Sequence, residues 1–93
     1  MNYINKIKKL LNDELNMSST MYEGLLDYYG LLVLTVGENC TQEHIHDAWS
    51  FWQNKIDDMH RSLYPFDDLK KEVQDLDETY RQAVIKVANQ INI

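Results

Sequence analysis

Two histidines, an aspartate and three aromatic residues lie within nine consecutive residues, 44–52, which read HIHDAWSFW. Imidazole and carboxylate groups this close together could bind a metal ion, transfer protons or contact a ligand. On a helix, however, residues two apart lie about 200° apart around the axis, so His44 and His46 cannot share one ion. His44 and Asp47 share a face, but a zinc site needs three or four protein ligands. We therefore expect no metal site and no cofactor.

A nucleophilic cysteine is the next chemistry to consider. Cys40 precedes a predicted helix N-terminus, which can lower a thiol pKa, and His44 follows four residues later. No third group that would orient the histidine is recognisable. The adjacent carboxylates along the chain diverge on a helix and do not act as pairs. The sequence therefore predicts no catalytic residues, and we expect a protein that is not an enzyme.

The composition narrows the partners. The chain has 15 acidic and 9 basic residues, which gives a formal charge of −6. Binding to nucleic acid or an anionic membrane depends on neutralising phosphates, so we expect neither as a direct partner. The single cysteine excludes an internal disulfide and fits a reducing compartment, so we expect a cytoplasmic location. A length of 93 residues predicts one domain, 1–93.

Apolar residues recur at spacings of three and four, and no stretch alternates with period two. This pattern predicts an all-α fold. The four main helices are expected at about residues 3–15, 21–36, 42–58 and 68–91. One extended connection around the only proline, Pro65, should separate the last two at 59–67.

The second helix has several further signals. Thr20 and Glu23 have the spacing of a capping box, and Gly37 fits the position that closes a helix. Because this helix is apolar on most sides, we expect it to be the central one. In the last helix, the capping residue type of Asp77 allows a break or kink near Leu76.

The aromatic residues of the third helix divide between two faces. Trp49 and Trp52 lie on the apolar stripe, where burial in the core is the default expectation. Phe51 lies off that stripe. It therefore indicates either a second buried face or an exposed contact patch.

Residues 60–84 read HRSLYPFDDLKKEVQDLDETYRQAV, and the preceding helix contains IHDAWSFWQNK. Together these stretches resemble the repeat domain first named in ryanodine receptors, which has a tryptophan helix, a lysine and a segment of the type HPxLxP(Y/F)xxL. The residues that match in type and order are Trp49, Lys55, His60, Leu63, Pro65, Phe66, Leu69, Val73 and Asp77. The chain is also similar, over nearly its whole length, to a family of small phage-associated proteins with the pattern HDAW…HxSLxPFxxL. It lacks the glycine–tryptophan–tyrosine insert that helps to form the repeat domain's proposed pocket.

The resemblance implies a phage-derived binding module that senses or sequesters a nucleotide-derived signal in host defence. An aromatic wall beside a cation and hydroxyl groups suits a small planar anionic ligand, and an oligomer would be expected. The candidate ligand-binding residues are Trp49, Trp52, His60, Arg61, Ser62, Tyr64 and Arg81. His60 and Ser62 could instead only satisfy backbone groups of a buried turn.

The acidic charge supports an alternative function. The protein would then bind and inhibit or regulate a host defence protein, for example as a mimic of DNA. The residues of that acidic surface are Asp57, Asp58, Asp67, Asp68, Asp75 and Glu78. Continuity of these carboxylates on one face would favour the protein partner, whereas convergence of arginines on the aromatic residues would favour the small ligand.

Overall fold

The structure, a computed structural model, describes residues 2–17 and 24–91. Within these ranges every regular element is helical, so the predicted all-α fold is confirmed. The α-helices are α1 (Tyr3–Leu15), α2 (Leu25–Thr35), α3 (Gln42–Ile56), α4 (Lys71–Gln74) and α5 (Glu78–Gln90). Short 3₁₀ turns lie at Gly37–Asn39, Phe66–Asp68 and Asp75–Asp77.

Helix α2 is central, as predicted, because it contacts α1, α3 and α5. Its Leu25, Tyr29 and Val33 are buried against these three helices. The helix begins later than the predicted residue 21, because Gly24 has a φ of 89° and lies in the left-handed region outside the helix. The predicted capping box of Thr20 and Glu23 lies outside the described residues.

The C-terminal end of α2 agrees with the sequence prediction, whereas the exposure of its outer side does not. Gly37, with a φ of 54°, follows the last turn in the left-handed conformation that the sequence predicts for it. The outer side of α2 is less buried than its apolar composition indicates. Leu31 is 58% exposed there, because only three sides of the helix are covered.

Helix α3 begins with a reciprocal cap. The Thr41 hydroxyl accepts a hydrogen bond from the His44 backbone N–H at 3.1 Å, and His44 Nδ1 accepts one from the Thr41 backbone N–H at 3.0 Å. The His44 imidazole is thus part of the helix cap, and its Nδ1 is unprotonated because it accepts this hydrogen bond. This cap fixes where α3 starts, and so which residues face inward: Ile45 is fully buried and Trp52 is only 9% exposed.

The chain between α3 and α5 is less helical than predicted. Two hydrogen-bonded turns span 57–63, and the backbone is extended at Pro65, before the turn Phe66–Asp68. Extended conformations at Leu69 and Lys70 delay the predicted helix from residue 68 to Lys71. The 3₁₀ turn Asp75–Asp77 then links α4 directly to α5, at the point where the capping residues allow a kink.

The cap of α3 can be tested by substitution. We expect Thr41→Ala to lower the free energy of unfolding by about 1 kcal/mol, because it leaves the His44 N–H without its acceptor. Thr41→Ser keeps the hydroxyl and should retain most of the stability. Urea denaturation of both variants measures the difference, and equal losses in the two would contradict the role of the hydroxyl.

Candidate functional site

A cavity of about 290 Å³ opens between α2, α3, the turns after α3 and the 73–80 segment. Its walls combine aromatic, aliphatic and ionisable side chains. The lining residues are Leu25, Tyr29, His46, Trp49, His60, Arg61, Ser62, Val73, Leu76, Asp77 and Tyr80. This is the place in the described structure where the predicted ligand-binding residues gather.

Four of the seven predicted ligand-binding residues line this cavity: Trp49, His60, Arg61 and Ser62. The His60 ring meets Trp49 edge-on, with ring centroids 5.1 Å apart. The backbone N–H of Ser62 donates to His60 Nδ1 at 3.0 Å, so in the neutral ring the proton is on Nε2. His60 therefore does satisfy a backbone group of the turn, and it also forms part of the cavity wall.

The other three predicted residues lie elsewhere. Trp52 is one turn beyond Trp49 on α3 and is buried in the core beside Gly24. Tyr64 is 61% exposed and lines a separate groove. The Arg81 guanidinium donates to both carboxylate oxygens of Glu78, at 2.7 and 2.6 Å, and is not part of the cavity wall. Local pairing within α5 thus takes this arginine out of the predicted site.

His46 is a cavity residue that the sequence did not single out as a ligand-binding candidate. Its side chain is buried, with 4% exposed, and its ring stacks on Trp49 at a centroid distance of 5.6 Å. Nε2 lies 2.7 Å from the backbone oxygen of Tyr64, and because a carbonyl only accepts, Nε2 carries the proton and donates. The spacing of three between His46 and Trp49 is the signal that places both on one helix face.

Asp77 is the second cavity residue that the sequence did not single out as a ligand-binding candidate. Its carboxyl group is half-buried, it does not cap α5, and it has no hydrogen bond or ion pair within the described part of the chain. Burial raises its pKa to about 6, and the nearby His46 partly offsets this rise. The sequence indicated Asp77 as a helix-breaking position and as a match to the repeat-domain pattern, but not as a cavity residue, since its burial depends on how α5 packs against α3.

Two tyrosines stand next to this carboxyl group. The rings of Tyr29 and Tyr80 have centroids 5.5 Å apart, and both line the cavity. Burial, together with the charges of Tyr80 and Asp77, raises the pKa of Tyr29, so its hydroxyl stays protonated at neutral pH. The two tyrosine side chains and the carboxylate of Asp77 therefore line the same cavity.

The predicted acidic surface divides into two kinds of carboxylate. Asp57, Asp58, Asp67 and Asp68 are exposed. Asp75 pairs with Lys71. Glu78 binds Arg81, Gln42 and Gln82, and these hydrogen bonds lower its pKa to about 2. The Asp57 carboxylate also accepts a hydrogen bond from the Met59 backbone N–H at 3.0 Å, so local partners occupy three of the six predicted carboxylates.

The other candidate features in the described part of the chain are a cysteine, possible metal ligands and apolar helices. Cys40 is 2% exposed, and burial raises the pKa of its thiol to about 11, so it is not a thiolate at neutral pH. Within residues 2–17 and 24–91, no group of three or more histidine, cysteine or acidic side chains could hold a metal ion. Nor does any helix in these ranges have both the length and the apolar character needed to cross a membrane.

Comparison with known proteins gives a family and no function. The family described as Domain of unknown function (DUF7701) matches residues 2–89. The chain belongs to this family. No curated protein and no solved structure matches the chain. The DUF7701 match covers every residue that lines the cavity, so the cavity lies within the family domain.

The buried carboxyl group of Asp77 should be visible in the pH dependence of stability. Its pKa in the folded protein is about 6, against an ordinary value of 3.8. The folded state therefore binds the Asp77 proton more tightly than the unfolded state does. The stability gained from this proton binding is complete below about pH 3.8 and is lost as the pH rises through about 6.

We expect Asp77→Asn to raise the free energy of unfolding at pH 7 by about 1 kcal/mol, after allowing for partial solvent exposure. The gain should shrink towards zero at pH 4, where Asp77 itself is protonated. Urea denaturation at both pH values measures it, with Asp13→Asn on the exposed side of α1 as the control. A lower stability of Asp77→Asn at pH 7 would contradict the assignment.

Proposed function

We propose that this DUF7701 domain is a non-enzymatic binding module for a nucleotide-derived small molecule. The observation that carries the proposal is the cavity itself, which joins the Trp49–His46 stack to the unpaired carboxyl group of Asp77 and to the cation of Arg61. Stacking surfaces bind a planar base, and polar groups at fixed positions orient it. Nothing in this arrangement requires a chemical step.

The size and polarity of the cavity favour one nucleotide unit. A volume of about 290 Å³ lies just below the range for small-molecule sites, which starts at roughly 300 Å³, so the cavity suits a small ligand. Arg61 is exposed, and no carboxylate in the described structure pairs with it. A guanidinium group without a partner is well suited to bind a phosphate through two hydrogen bonds.

The sequence resemblance gives this binding a biological setting. The phage-associated pattern HDAW…HxSLxPFxxL includes His46, Trp49, His60 and Ser62, all of which line the cavity. A phage protein that binds a nucleotide-derived immune signal in the host cytoplasm would sequester or sense that signal. The missing glycine–tryptophan–tyrosine insert leaves the cavity wall to the short turns after α3.

Ligand binding should raise the thermal stability. At 100 times its dissociation constant, a ligand adds about 2.7 kcal/mol to the free energy of unfolding, which for a domain of this size is roughly 10 °C or more in Tm. We expect such a shift with at least one member of a panel of mononucleotides and cyclic dinucleotides, measured by differential scanning fluorimetry. Absence of any shift at millimolar concentrations would overturn the proposal.

Two arginine variants make the test specific to the cavity. Arg61→Gln removes the proposed phosphate contact and should weaken binding by roughly 10- to 100-fold. Arg81→Gln makes the same chemical change at an arginine that Glu78 already holds outside the cavity, and it should leave the dissociation constant nearly unchanged.

The outer face of α3 supports a second candidate function, the binding of a protein. Phe51 is 71% exposed there, and it shares a groove with Tyr64, Pro65 and Asp47. Exposed apolar groups rimmed by acidic residues, here Asp47 and the exposed aspartates at the end of α3, suit a partner segment that is both apolar and basic. We propose this groove as the binding surface if the domain acts as an inhibitor or regulator of a host protein.

Peptide selection can test this second function. From a random library, the immobilised protein should enrich peptides that combine lysine or arginine with apolar residues. Phe51→Ser should abolish their binding, whereas Arg61→Gln, on the cavity side, should not change it. Enriched peptides that still bind Phe51→Ser would exclude the groove, and failure to enrich any basic apolar peptide would count against protein binding at this face.

A further inference from the structure

The cavity contains two charged groups without partners in the described part of the chain, the carboxylate of Asp77 and the guanidinium of Arg61. The presence of both in one cavity restricts the class of ligand that it can bind. Asp77 is half-buried among Tyr29, Tyr80 and His46, whereas Arg61 is exposed. Neither has an ion-pair partner within the described residues. A carboxylate is an acceptor only, and a guanidinium is a donor only. A ligand that satisfies both must offer hydrogen-bond donors at one end and an anion at the other.

Nucleotides have this polarity, and their bases differ in the edge that they would offer to a carboxylate. Guanine presents two adjacent donors, N1–H and the N2 amino group, which match the two oxygens of one carboxylate. Adenine and cytosine each place a ring-nitrogen acceptor beside their amino group. Uracil places carbonyl oxygens on both sides of its single N–H. These three bases would set a lone pair against the carboxylate, which is repulsive.

A simple organic cation is the other chemistry that aromatic rings and a carboxylate can bind. Arg61 of the same cavity disfavours it, because its guanidinium places a positive charge and N–H donors beside the ligand, and His60 adds its Nε2–H donor. A guanine nucleotide meets Asp77 with a neutral donor edge and Arg61 with its phosphate. It therefore uses both groups without leaving either one unpaired.

We propose that the cavity selects guanine nucleotides, with Asp77 as the specificity-determining residue that accepts hydrogen bonds from N1–H and the N2 amino group. This inference rests on the proposed nucleotide-binding function and assigns its ligand class. Above about pH 6 the carboxyl group is ionised and can accept both hydrogen bonds. The base would lie within the aromatic part of the cavity, with its phosphate towards Arg61.

The test is isothermal titration calorimetry at pH 7.5 with the 5′-monophosphates of guanosine, adenosine, cytidine, uridine and xanthosine. We expect wild-type protein to bind the guanosine compound at least about tenfold more tightly than the others, because a bidentate contact discriminates by this factor or more. Asp77→Asn replaces one acceptor oxygen by an amide donor. This substitution should weaken the binding of guanosine monophosphate by a similar factor. It should strengthen the binding of xanthosine monophosphate, whose O2 accepts a hydrogen bond where guanine has its amino group.

The outcomes separate this inference from the function on which it rests. Asp13→Asn, a remote change of the same kind, should keep the guanine preference, and thermal unfolding of Asp77→Asn reports whether that variant is folded. If nucleotides bind the wild-type protein without a preference for guanine, or if Asp77→Asn keeps the wild-type preference, the inference is overturned while the proposed function stands. If no nucleotide binds at millimolar concentrations, both are overturned.

Discussion

The hydrogen bond from His46 Nε2 to the backbone oxygen of Tyr64, 2.7 Å long, is the interaction on which the cavity depends. It joins α3 to a stretch of chain that has no regular secondary structure. The same imidazole stacks on Trp49 and lies near the charge of Asp77, so one buried ring connects three sides of the cavity. A buried polar group must be hydrogen-bonded to be tolerated, and this one gains its partner by fixing the position of the turns after α3.

The electrostatics of the domain follow a division between paired and unpaired groups. Glu78 is surrounded by Arg81 and two glutamine side chains, which hold its pKa low and make it part of the scaffold. Asp77, one residue earlier, has no such partner and keeps a raised pKa in a half-buried position. Keeping an unpaired carboxylate there costs folding free energy, and clusters of perturbed ionisable groups in a cleft are typical of functional sites. The contrast between these neighbours is the physical observation that best supports the binding role proposed for the cavity.

Helix α3 presents different chemistry on its two sides. His46 and Trp49 face the cavity, while Phe51 stands in solvent beside the groove that Tyr64 also lines. Because Tyr64 gives its backbone oxygen to His46 and its side chain to the groove, the two surfaces meet at one residue.

The sequence by itself determined the helical class, the span of α1, the central place of α2 and the position of Gly37 after it, because these depend on local periodicity and backbone preference. It also indicated Trp49, His60 and Ser62, whose types and order follow a motif, and Arg61, which supplies a cation in the same segment. Only the tertiary structure decided that Arg81 is held by Glu78 outside the cavity, and that Trp49 lines the cavity while Trp52 does not. It alone brought His46 and Asp77 together, since residues 31 positions apart meet through helix packing, and the energy of an ionisable group depends on what buries it.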